Sequence, residues 1–183
     1  MTVWRSAGLA GGAVGLALAL SSCAYFAEPP AGLDQADDFI ALPVRAWLLR
    51  NDVRAITVAG CLVEPCTARV GVGVFEMTGT AASDIARAVA DPERVRADIL
   101  RRDREDRNPQ RRSVETSVAV ASVTIDGARG FTIRLSRSDG SRSAHGIALT
   151  RAGNSGTRVI LAVADEASLA LSAARQVAGA YLR

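Results

Sequence analysis

From Val114 to Ala164 apolar and polar residues alternate almost without interruption, and no other feature constrains the chain as much. Alternation with period two sends successive side chains to opposite faces of an extended strand. The run is cut by Asp126-Gly127, by Ser138-Asp139-Gly140 and by Gly153-Asn154-Ser155-Gly156. Short links of this kind are hairpin turns, because Gly and Asp tolerate the positive φ that tight turns need. Four strands are expected: Val114 to Ile125, one built on Phe131, Ile133 and Leu135, Ala144 to Thr150, and Arg158 to Ala164 with Val159, Leu161 and Val163 on one face. The links are too short for crossovers, so the strands form an antiparallel meander.

Upstream, Ala55 to Gly60 and Ala68 to Met77 alternate in the same way, with Val70, Val72 and Val74 on one face and Gly71 and Gly73 on the other. Bare glycines on one face would let a helix or another backbone approach closely. Between this hairpin and the meander, Ala81 to Val89 reads as a helix. Asp91-Pro92-Glu93 opens another, running through Val95, Ile99 and Leu100 to about Asp103. Asp serves as N-cap there, and Pro fits the first helical position. After the meander, Asp165 is placed to cap a last helix in which Leu169, Ala173, Val177 and Tyr181 recur every four residues. Residues 39–52 read as a short helical or extended segment that docks Trp47 into the core.

The expected architecture is α+β: a two-layer sandwich of one antiparallel sheet, made of a hairpin plus a four-stranded meander, with helices on one face and a C-terminal helix. In outline it is similar to the PsbP/Mog1 family, which also ends a sheet with a C-terminal helix. The resemblance is one of shape, and a shape implies no function.

The first 22 residues read as an export signal: Arg5 precedes an uncharged Ala/Gly/Leu stretch of 14 residues, Ala7 to Leu20. A stable membrane-spanning helix needs about 20 residues. The next positions, Leu20-Ser21-Ser22-Cys23, resemble a bacterial lipobox, an aliphatic residue and two small ones before a Cys. The resemblance implies diacylglyceryl transfer to the Cys23 sulfur, cleavage before Cys23 and acylation of the new amino group. Ala24, in place of Asp, implies by the same resemblance an outer-membrane lipoprotein facing the periplasm. In a Gram-positive source, the outer leaflet of the single membrane takes its place. Residues 23–38, with Pro29-Pro30, Gly32 and Asp34, Asp37 and Asp38, read as a flexible tether, and 39–183 as one domain.

Cys61 and Cys66 enclose Leu-Val-Glu-Pro. In an oxidising compartment such a pair reads as a structural disulfide. Four intervening residues do not match a thioredoxin-type redox pair, and a zinc site would need further Cys or His ligands. The chain has one His.

All 22 basic residues are Arg. A GC-rich genome accounts for this, while selection for bidentate phosphate or carboxylate recognition is the sharper reading. Without the leader and the four acids Glu28, Asp34, Asp37 and Asp38, the body carries a net charge of +6. That is short of the concentrated basic face of a nucleic-acid binder. The Arg-rich stretch 101–112 is interleaved with Asp103, Glu105 and Asp106 and lacks aromatics, as a solvated connector does. For catalysis there is little: His145 stands alone, and Gly-x-Ser-x-Gly, Walker and His-Glu-x-x-His motifs do not occur. No cofactor or metal site is expected. The expected function is a non-catalytic, lipid-anchored binding or structural module for another envelope component. Its membrane contact runs through the lipid, and Arg134, Arg137, Arg142 and Arg151 offer a binding face. The alternative is an accessory enzyme or hydrolase subunit with a site built around His145.

Overall fold

The computed structural model describes residues 30–33, 40–41, 51–61, 68–105 and 115–182. Its elements are β1 (Ile40–Ala41), β2 (Val53–Cys61), β3 (Val70–Met77), α1 (Gly79–Ala90), α2 (Pro92–Glu105), β4 (Thr116–Ile125), β5 (Ala128–Arg137), β6 (Ser143–Ala152), β7 (Thr157–Ala164) and α3 (Ala167–Tyr181). The α+β class, the hairpin, the four-stranded meander and the C-terminal helix are all present. The leader, Cys23, Trp47 and Cys66 lie outside the described residues.

Hairpin and meander are one antiparallel sheet of order β1-β2-β3-β7-β6-β5-β4. They join because β3 pairs with β7, Val74 opposite Ile160 and Val70 opposite Ala164. The β4–β5 link turns on Asp126 (φ 50) and Gly127 (φ 80), the two positive values a two-residue hairpin turn requires.

The sheet order dictates where the helices go. β3 and β4 run parallel, four strand spacings apart, so the chain between them must cross a face of the sheet over about 19 Å. α3 leaves β7 at mid-sheet and folds back on one face. There Ala170, Ala173, Ala174, Val177 and Ala178 pack on Val72, Val74, Ile147, Leu149, Ile160 and Ala162. Burying side chains such as Leu149 and Ile160 contributes about 1.5–3 kcal/mol each. α1 and α2 make the crossing on the other side. The Thr116 hydroxyl, on the face away from α3, donates to Asp103 of α2 at 3.0 Å. Val118, Phe131, Ala148 and Val159 of that face are buried, as is Ala81 of α1. The helices therefore divide between the faces instead of sharing one.

Four further expectations differ from the structure. The buried stripe of α3 runs through Ala170, Ala173, Ala174, Val177 and Ala178, with Leu169 and Tyr181 at its margin. Its N-cap is Glu166 in place of Asp165, and makes no side-chain cap bond. Part of the stretch expected to be a tether, residues 30–33, packs on the domain. Pro30 and Leu33 are buried, and Leu33 belongs to the core under α3. The Ala31 N–H donates to the Tyr181 hydroxyl at 3.3 Å. Gly73 admits no helix: the ring of Phe75, two residues on, lies over it, 2.7 Å from where a Cβ would stand.

Asp91 caps α2 as expected, accepting from the Arg94 N–H at 3.3 Å. α1 is capped from a distance: Asp52 accepts from the Ala81 N–H at 2.7 Å. On α2, Arg101 pairs with Asp98 and Glu105, and Arg96 with Glu93. Such exposed pairs contribute little stability and keep the helix solvated. Arg107, Arg111 and Arg112 lie outside the described residues.

Candidate functional site

The β5–β6 hairpin closes on Ser138-Asp139-Gly140, with Gly140 at φ 70. The Ser141 hydroxyl and N–H both donate to Asp139 Oδ1, at 2.7 and 3.0 Å. These bonds, the hydroxyl first, hold the Asp139 carboxyl below its ordinary range, and the Arg137 guanidinium adds to the effect. Arg137 and Arg142 flank the turn and are tied by the Arg137 N–H donating to the Arg142 carbonyl at 3.0 Å. Strand alternation puts both side chains on the face away from α3.

β3 brings a third cation to this end. The Asp165 N–H donates to the Arg69 carbonyl at 3.2 Å, extending the β3–β7 ladder by one step. Arg69, Arg137 and Arg142 thus line one open cleft of about 620 Å³, with Ser141, Ser143 and Asp165 among its other walls. Its floor includes Leu135 and Ala144. Among the described residues, none of the three guanidiniums makes an ion pair. Three cations face one carboxylate, Asp165, in a cleft rich in hydroxyls. The planar fork of Arg suits phosphate or carboxylate oxygens, and hydroxyls can complete their shell.

Of the four arginines expected on one face, the structure brings Arg137 and Arg142 together and sets Arg134 and Arg151 apart. Arg134 projects to the α3 side, because an even position on β5 cannot share a face with Arg137; it stands opposite His145. Arg151 lies at the far end of β6, opposite Arg158 and about 30 Å of strand from Arg142. Arg69 lies outside the face the sequence offers. Nothing local marks it, since only the β3–β7 pairing carries it to the hairpin.

His145 shares the α3 face with Ile147 and Leu149 and is half-buried. It lines a groove of about 270 Å³ with Ala119, Thr132, Arg134, Ala170 and Leu171. Among the described residues, no carboxylate, Ser or Cys lines that groove. Among the described residues no three His, Cys, Asp or Glu side chains are grouped to hold a metal ion. We expect His145→Gln to cost at most about 1–2 kcal/mol in urea denaturation, the loss of one partly buried hydrogen bond or contact. A folded His145→Gln protein that fails to replace the parent in cells would instead favour the enzyme alternative.

Cys61 ends β2 and is buried, and Cys66, its expected partner, lies outside the described residues. No known protein family and no curated protein matches this chain.

Proposed function

We propose that this chain is a lipid-anchored envelope lipoprotein whose domain is a non-catalytic binding module, using the cleft of Arg69, Arg137 and Arg142 to hold an anionic group of another envelope component. The carrying observation is the meeting of three guanidiniums from two distant chain segments with no ion pair among the described residues. Three cations beside only two carboxylates, Asp165 in the cleft and Asp139 in the turn, favour an anionic partner. The lipobox resemblance supplies the anchor at Cys23 and the outer-membrane, periplasm-facing location. A Cys61–Cys66 disulfide would close the β2–β3 hairpin beside the cleft. The proposal includes no cofactor and no nucleic-acid partner.

The test is recovery of the lipoprotein from detergent-solubilised membranes, parent against Arg137→Gln/Arg142→Gln. The expected result is an envelope component that accompanies the parent and is at least about tenfold depleted with the variant, the loss of two charge-assisted contacts. An unchanged set of companions would overturn the proposal.

A further inference from the structure

The cleft does not end at its arginines. On the same face of the sheet, Val163 is 54% exposed and Leu161 36%, the exposed large hydrophobics of the described domain. Both stand on β7 and follow Asp165 inward from the cleft. Val163 lies opposite Gly146 on β6, and Leu161 opposite Ala148. Across β6, Leu135 stands opposite Ala144 and Ile133 opposite Gly146. Two apolar ridges, one on β5 and one on β7, thus run parallel about 10 Å apart with a low strand between them. A Cβ on Gly146 would meet nothing closer than 3.8 Å. The low strand leads directly into the cleft, because Ala144 and Leu135 are also part of its lining.

An apolar strip open to water at one end of a cationic cleft has a defined chemical complement. The cations ask for phosphate or carboxylate oxygens, and the strip asks for hydrocarbon, at about 25 cal/mol for each Å² removed from water. A free inorganic anion would leave the strip exposed, and a neutral apolar ligand would leave the guanidiniums unanswered. The cleft volume of about 620 Å³ also suits one discrete molecule.

We infer that the site binds a single anionic amphiphile, its phosphate or carboxylate head on Arg69, Arg137 and Arg142 and its chain along Ala144 and Gly146 between the Leu135–Ile133 and Val163–Leu161 ridges. The inference names the ligand class of the binding module proposed above and rests on it.

The probe is lysophosphatidylglycerol carrying a photoactivatable group near the end of its chain. It is added to the full lipoprotein in an uncharged detergent, and labelled peptides are mapped by mass spectrometry. Labelling is expected on β6 and β7, near Gly146 and Val163. Unlabelled lysophosphatidylglycerol should compete at least about tenfold better than lysophosphatidylcholine, and inorganic phosphate at the same concentration should not compete. Arg137→Gln/Arg142→Gln should lower labelling about tenfold or more by removing two charge-assisted contacts, and Val163→Asp should lower it comparably. All three positions are exposed, so these variants should keep the parent's denaturation midpoint, which is measured alongside.

Equal competition by inorganic phosphate would reduce the site to a free-anion site and overturn the inference, as would equal competition by the neutral lipid. Labelling confined to other segments, or insensitive to both variants, would overturn it too. If labelling fails while the arginine variant still loses its envelope companion, the amphiphile is wrong and the binding module stands.

Discussion

Cys23→Ala is expected to abolish membrane attachment. Two or three acyl chains on one residue hold a protein firmly, at about 0.8 kcal/mol per buried CH₂, whereas a single chain binds reversibly. Without the thiol there is no site for the first chain. The uncharged stretch before it, 14 residues from Ala7 to Leu20, is too short to substitute as a stable span. No helix among the described residues is long and apolar enough to cross a membrane. Fractionation of cells expressing each form, with a carbonate wash of the membranes, measures the effect. The parent should pellet and the variant should be recovered in the soluble or wash fraction. A variant that pellets as completely as the parent would remove the lipid anchor from the proposal.

The second large effect separates two glycines of the meander. On β5, a Cβ at Gly130 would stand 1.8 Å from the Ala148 carbonyl oxygen of β6. That oxygen is backbone in the middle of the sheet, so it can move only if the β5–β6 ladder opens. Gly130→Ala is expected to cost about 3 kcal/mol or more, in the range of severe core lesions, and to leave little folded protein. On β6, a Cβ at Gly146 would only touch Ile133 and the Ala162 carbonyl oxygen, at 3.8 and 3.9 Å, which is ordinary van der Waals contact. Gly146→Ala should change stability by less than about 1 kcal/mol, in either direction. Urea denaturation of the two variants beside the parent decides this. Equal stabilities would mean that Gly130 does not face Leu149 in the register described.

Much of this architecture is legible in short stretches of chain. Asp126-Gly127 announces its own turn, because both positive φ values are local demands met by local residues. Asp91-Pro92 likewise marks the start of α2, since a cap reaches only three residues forward. The candidate site was legible only in part. Arg137 and Arg142 flank one turn and could be paired by eye, but Arg69 reaches them through pairing with a strand about ninety positions away. The cap of α1 shows the same limit: Asp52, not a residue of the helix, satisfies its first turn.

The faces of β7 mark the boundary between the two kinds of information most clearly. Thr157 to Ala164 carries Val159, Leu161 and Val163 on one side and Ile160, Ala162 and Ala164 on the other, apolar on both. Alternation establishes from the residues alone that this is a strand and which side chains travel together. It cannot say which set faces the core, because both sets gain by leaving water. That choice was made by α3, which covers Ile160 and Ala162 and leaves Leu161 and Val163 in solvent. The helix covers that side because its own Ala-rich stripe allows close approach to the sheet, while α1 and α2 take the crossing on the other. Strands, turns and local caps were determined by the sequence itself, through contacts a few residues long. The exposed strip and its arginine cleft were decided by tertiary structure, because they depend on which layer covers which face.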